Sequence, residues 1–188
     1  LLDLLGKLVD KSLIQFDPGT IEDPRYYMLE TVRQYARERL ASDAECGERA
    51  AAAVAGRIEH LGAERIAAVL LEPNAGSNGI VAPDTYWPAV RRHSAERGIP
   101  LIADEVMSGF GRCGEWFAWQ RHGEAGRPDV ITLAKGLTGG ALPLGAVVLS
   151  RALAARLEHQ VLATGLTYCG HPLACAAGMA AIAAGDIP

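Results

Sequence analysis

Residues 100–106, PLIADEV, and 129–135, DVITLAK, share one layout: an apolar run that ends on ionisable side chains, Asp104 and Glu105 in the first and Lys135 in the second. Two further runs, IAAVLLE at 66–72 and LGAVVLS at 144–150, are built the same way. Near-continuous apolar runs of this length indicate strands covered on both faces, as in parallel sheets. Between the first two runs, residues 84–98 carry a helical pattern, with Asp84 as a candidate N-cap and Gly98 as the C-terminal stop. Strand, helix and strand at a spacing of about thirty residues predict an α/β fold with a mostly parallel sheet. Two more helices are expected at 151–162 and 172–184, the second made mostly of Ala and Gly.

The 188 residues are 49% hydrophobic and 21% charged, a globular composition. Eighteen basic against twenty-two acidic side chains leave a net charge of -4. That balance excludes a purely electrostatic binder of nucleic acid or anionic membrane. No apolar run approaches the roughly 20 residues of a membrane span, and the acidic amphipathic start lacks the layout of a signal peptide. Cys46, Cys113, Cys169 and Cys175 show no C-x-x-C spacing, and the histidines form no metal-binding pattern. A cytoplasmic protein with reduced thiols and no metal is expected.

In parallel sheets, ligands collect at the carboxyl ends of the strands. Those ends carry Glu72, Asp104 with Glu105, and Lys135. Lys135 is the informative member, because the chain has three lysines against fifteen arginines, and the other two are Lys7 and Lys11. A neutral amine condenses with an aldehyde; a guanidinium stays protonated and does not. Gly136 beside it leaves room for a flat ring near the backbone. Asp104 complements the amine, since a carboxylate held against a pyridine nitrogen keeps that nitrogen protonated, which pyridoxal phosphate requires to act as an electron sink.

Four blocks carry a family resemblance: LLEPNAGSNGIVAP, LIADEVMSGFGRCGEWFA, PDVITLAKGLTGGALPLGAVVLS and GLTYCGHPLACAAG. From about residue 57 to 182 the chain resembles the class III, fold-type-I pyridoxal-phosphate-dependent aminotransferases, in particular those that pass an amino group from an ω-amino acid or amine to a keto acid such as pyruvate. The resemblance implies a partial large domain of that fold. It implies that Lys135 is the Schiff-base lysine, Asp104 the partner of the pyridine nitrogen and Val106 the apolar residue against one ring face. By the same resemblance Thr167 reaches the cofactor phosphate of a partner subunit, hence a homodimer in the complete enzyme, and Glu72 lies near the distal group of the substrate. Met107 stands where some branches have glutamine, which fits the ω-amino acid–pyruvate branch. The family's long N-terminal half and C-terminal domain have no counterpart in these residues, so the isolated chain is expected to turn over weakly or not at all.

Residues 1–44 read as a separate unit. A helical pattern (Leu2, Leu5, Leu8, Val9, Leu13), two strand-like runs at 13–17 and 25–29, and a second helix from Glu30 to about Leu40, with Val32, Tyr35, Ala36 and Leu40 on one face, make a winged-helix-like pattern. The stretch LLDLLGKLVDKSLI…RYYMLETVRQYARERL resembles the winged-helix segment of multidomain regulatory ATPases. It contains no nucleotide-binding loop, and residues 1–60 hold 8 basic against 11 acidic side chains, so DNA contact is not expected. Residues 45–62 read as a helical connector, and 63–188 as the partial aminotransferase domain.

Two rival readings remain. Gly109 to Gly114, GFGRCG, fits the dinucleotide pattern G-x-G-x-x-G, with Asp129 at the distance expected of the ribose-binding acid. That would make an NAD-dependent dehydrogenase, but no helical stretch follows Gly114. The other rival is a non-catalytic regulatory or interaction protein in which the first 44 residues dock a partner.

Overall fold

The computed structural model describes residues 7, 9–10, 15–17, 25–28, 30–41, 43–76, 79–161 and 164–185. It divides into two units, Leu1–Asp43 and Ala44–Pro188.

In the first unit, β1 (Gln15–Asp17) and β2 (Arg25–Tyr27) pair antiparallel, with Phe16 opposite Tyr26. Helix α1 (Glu30–Ala41) follows, with Glu30 in its first turn and Arg39 in its last, each sign matched to the helix dipole. Tyr35, expected on an apolar face, is 63% exposed. Residues 7, 9 and 10 are helical, whereas Leu2, Leu5, Leu8 and Leu13 of the expected first helix lie outside the described residues.

The second unit is a mixed α/β layer structure. Its sheet has the order β3 (Val69–Leu71), β4 (Leu101–Asp104), β5 (Val130–Leu133), β6 (Ala146–Leu149). The first three strands are parallel, with Leu70 opposite Ile102 and Ile102 opposite Val130. β6 runs antiparallel to β5, Ile131 facing Val148. The reason is the length of the connection. Residues 134–145 hold one short 3-10 turn and no α-helix, a connection at the lower limit of a parallel crossover, and the chain turns back instead. Between β3 and β4 there is room, and α3 (Tyr86–Glu96) fills it.

Helix α2 (Ala44–Leu61) occupies the stretch read as a connector, but it packs as a layer of the second unit, burying Gly47, Ala51, Ala55 and Ile58. Ala51 meets Trp87, Ala89 and Val90 of α3 and Leu101 and Ala103 of β4 in one buried cluster. Each of the larger side chains contributes about 1.5–3 kcal/mol by leaving water. Trp87 is the largest, and its indole N–H donates to the Gly126 carbonyl at 2.7 Å. Helix α3 begins later than the sequence suggests: Thr85 is at its N-cap without a side-chain capping bond, its hydroxyl donating instead to the Ala44 carbonyl at 2.9 Å, while Asp84 pairs with Arg121. Gly98, at φ +66°, ends it, with its N–H on the Ala95 carbonyl.

The strands are shorter than the apolar runs, and they are covered more on one face than on both. Leu70 is 57% exposed and Val147 63%. Alternation along β3 explains the first: Val69 and Leu71 pack against the helical cluster, so Leu70 points to the opposite face. Two helices close the described chain, α4 (Arg151–Leu157), capped by the Ser150 hydroxyl accepting from Leu153 N–H, and α5 (Pro172–Ala184). The first ends several residues earlier than expected.

Candidate active site

Parallel β3, β4 and β5 bring their carboxyl ends to one edge of the sheet. Asp104, the last residue of β4, is in register with Thr132 of β5, and Lys135 follows two positions after β5 ends. There the chain enters a 3-10 turn, Lys135–Thr138, anchored by buried Leu137 and Thr138 and by the Leu137 N–H on the Ala134 carbonyl. The Thr138 hydroxyl donates to the Leu142 carbonyl at 2.7 Å. Lys135 has φ +44°, a left-handed backbone that non-glycine residues seldom adopt.

A cavity of about 350 Å³ opens at this edge. Lys135 and Gly136 form one wall, Val106 and Met107 another, and the Gly109–Arg112 loop the rest. Lys135 is one of the lining residues and makes no ion pair among the described residues. One oxygen of the Asp104 carboxylate accepts the Val106 N–H at 3.0 Å, which ties the acid to the residue that lines the wall.

The structure therefore gathers Lys135 and Val106 at one cavity; Asp104 is not among its lining residues and is tied to it through the bond from the Val106 N–H. Glu72 and Thr167 are not in that wall. The Glu72 carboxylate is turned onto its own loop, accepting the Gly76 N–H at 2.8 Å. Thr167 is exposed, at the start of a turn that precedes α5.

Two lining residues, Phe110 and Arg112, were not singled out as site residues by the sequence. Glu105, one of the ionisable strand-end residues, is not in the lining and is fully buried. The Glu105 carboxylate accepts from the Ser108 hydroxyl at 2.5 Å, from Ala118 N–H at 3.1 Å and from Trp119 N–H at 2.9 Å. Burial pushes its carboxyl above the ordinary value, against those three hydrogen bonds, which pull it down; the neighbouring Asp104 charge adds to the rise. The signal was present as the acid pair 104–105, but nothing local tells which acid faces a ligand and which is buried.

The Gly109–Gly114 stretch is no dinucleotide loop. Phe110 N–H bonds to the Trp116 carbonyl at 2.6 Å and Gly111 N–H to the Glu115 carbonyl at 3.1 Å, making a hairpin. No α-helix follows; the next element is a 3-10 turn at Ala118–His122. Asp129 lies at the opposite end of the sheet, before β5, where its carboxylate takes Arg91 at 2.7 Å and the Leu101 N–H at 3.0 Å. The dehydrogenase reading has no site here.

The residues at the cavity fit an aldehyde-bearing pyridine cofactor: a lysine without an ion pair among the described residues, apolar Val106 and Met107, and the Asp104 carboxylate bonded to the Val106 N–H. The cavity volume lies within the range of ordinary small-molecule sites. Among the described residues no group of three or more potential metal ligands occurs.

Comparison with known proteins points the same way. The family Aminotransferase class-III matches residues 20–185. The putrescine–pyruvate aminotransferase of Pseudomonas aeruginosa is 44% identical over 137 residues, which are 72% of this chain and 30% of that protein. The omega-aminotransferase of Caulobacter vibrioides is 44% identical over 126 residues, 64% of this chain and 28% of that one. Among solved structures, a taurine:2-oxoglutarate aminotransferase from Bifidobacterium kashiwanohense, in complex with PLP and glutamate, is 42% identical with a TM-score of 0.71, over 75% of this chain and 31% of that chain. The chain thus spans about 30% of the length of the relatives it matches.

Proposed function

The chain belongs to the class-III aminotransferases, and from that premise we propose that it carries the lysine-bearing part of a pyridoxal-phosphate-dependent transaminase, which moves an amino group from an ω-amino acid or amine to a keto acid such as pyruvate. The observation that carries the proposal is that Lys135, which makes no ion pair among the described residues, lines a cavity together with Val106, whose N–H is bonded to the Asp104 carboxylate.

When bound, pyridoxal phosphate supplies an aldehyde that captures amines and a ring that accepts electron density. Lys135 Nζ would hold the aldehyde carbon and, once displaced by the donor amine, move a proton as a general acid and base. The Asp104 carboxylate would keep the ring nitrogen protonated. Val106 would pack on one ring face and exclude water. Thr167 is assigned to the phosphate of a partner subunit's cofactor, which makes the complete enzyme a homodimer, and Glu72 to the distal end of the substrate. The names of the two relatives, one acting on putrescine and pyruvate and one an omega-aminotransferase, support the donor and acceptor classes.

We assign the protein to the cytoplasm; no disulfide joins any of the four cysteines. No helix among the described residues is long and apolar enough to cross a membrane, and neither membrane nor nucleic acid is assigned as a partner. The division into a winged-helix-like segment (1–44), a helical stretch (45–62) and a partial aminotransferase domain (63–188) is retained as a proposal. A boundary at Asp43 and a β-hairpin followed by a helix support it, although the family match reaches back to residue 20.

The test is incubation with pyridoxal phosphate, borohydride reduction and peptide mapping. Lys135 is expected to carry the label, with none on the same chain bearing Lys135→Ala. Label confined to Lys7 or Lys11, or no label at all, overturns the reading.

A further inference from the structure

Glu105 is the one charged side chain among the fully buried described residues. A carboxylate in such a place is costly unless its oxygens are satisfied. Here they receive three donors, from Ser108, Ala118 and Trp119. Its backbone is engaged as well: the Glu105 N–H bonds to the Thr132 carbonyl of β5 at 3.0 Å, and its carbonyl accepts the Gly109 N–H at 2.9 Å. One residue therefore holds both ends of the loop that leaves β4 and returns at Ala118.

Phe110 stands within that loop. Its ring meets Trp116 and Phe117 edge-on, with centroids 6.3 and 5.7 Å apart. On its other side it presses on Gly136, where an added Cβ would lie 2.8 Å from the Phe110 Cβ and 3.1 Å from the ring. Phe110 and Lys135 are the two non-glycine residues with positive φ among those described, +59° and +44°, and they lie on either side of this contact. Uncommon backbone conformations of this kind persist where the surroundings over-determine them.

We propose that Glu105 is a positioning residue: its carboxylate fixes the 105–119 loop so that Phe110 bears on Gly136 and holds the backbone from which Lys135 enters the cavity. The proposal rests on the assignment of Lys135 as the cofactor-holding amine. Asp104 and Lys135 would then be set relative to one another through a single buried acid that touches neither the cofactor nor the substrate.

The decisive variant is Glu105→Gln in the full 188-residue chain. It keeps the shape, but an amide nitrogen accepts nothing, so at least one of the three donors loses its partner. Without cofactor, hydrogen exchange is expected to speed up by about tenfold or more in residues 108–119 and also in 134–139, while α3 keeps its protection. With pyridoxal phosphate and borohydride, label at Lys135 is expected to fall by about tenfold, and the pH at which the bound cofactor changes its absorbance is expected to shift. If exchange rises in 108–119 alone and Lys135 labels as before, Glu105 is a loop staple only and the proposal fails. It fails equally if nothing changes. Should the unvaried chain take no label at Lys135, the cofactor assignment falls, and the exchange comparison still decides whether Glu105 positions that backbone. Should Glu105→Gln not fold, Ser108→Ala removes one donor from the same carboxylate, and the same two readouts decide, with smaller expected changes.

Discussion

Phe110 closes on Gly136 so tightly that a β-carbon on the glycine would lie 2.8 Å from the phenylalanine Cβ. This contact joins the loop after β4 to the turn after β5, and Lys135 leaves the chain beside it.

Gly136→Ala is therefore expected to destabilise the protein by about 1–3 kcal/mol, the usual cost of forcing a methyl group into a filled space. Labelling of Lys135 by pyridoxal phosphate and borohydride should fall with it. Adding Phe110→Ala to the same chain removes the obstacle and should restore part of both. Urea unfolding midpoints and peptide mapping measure the two effects; equal losses in the single and double variants would show that Phe110 is not the obstacle.

Two glycines in one helix make a paired prediction of opposite sign. Gly47 of α2 lies against α3, where an added Cβ would meet the Thr85 hydroxyl and come within 3.0 Å of Tyr86 N. Gly56 of the same helix has nothing within 4 Å of that position. Gly56→Ala should stabilise by about 0.5–1 kcal/mol, the ordinary helix propensity gain. Gly47→Ala should destabilise in spite of the same gain. Thermal unfolding of the two variants side by side checks the signs.

Asp129 joins α3 to the start of the sheet through Arg91 and the Leu101 N–H. Asp129→Ala leaves that N–H and the guanidinium without their acceptor, at an expected cost of about 1–3 kcal/mol. Nicotinamide cofactors should leave the tryptophan fluorescence of the parent chain unchanged. Saturable quenching by such a cofactor, lost in Asp129→Ala, would revive the dehydrogenase reading.

The pH dependence of stability has a sign set by Glu105. Burial raises its carboxyl in the folded chain above the ordinary value of 4.5. Between 4.5 and the raised value the folded state binds more protons than the unfolded state. Stability from this group therefore falls as pH rises through that window and recovers as pH is lowered toward 4.5. Urea midpoints across the window should show this slope in the parent chain and lose it in Glu105→Gln. An identical slope in both would assign it to other groups.

Much of the fold was legible because its signals are local. Four apolar runs marked the strands, and the charged residues at their ends marked the edge where the cavity opens. Lys135 stood out by chemistry alone, as the one lysine after residue 11. The antiparallel turn of β6 was less visible, because an apolar run has no direction; only the short stretch at 134–145 decides it.

Sequence alone determined the chemistry on offer and its order along the chain: an acid after one strand, an amine after another, and a family resemblance carried by contiguous blocks. Tertiary structure alone decided which of two adjacent acids is buried, that a glycine-rich loop folds as a hairpin instead of cradling a dinucleotide, and that Asp129 lies at the opposite end of the sheet. Periodicity and side-chain type are properties of neighbouring residues. Burial of Glu105 and the contact of Phe110 with Gly136 depend on segments distant in sequence meeting in space, and only the packed sheet brings them together.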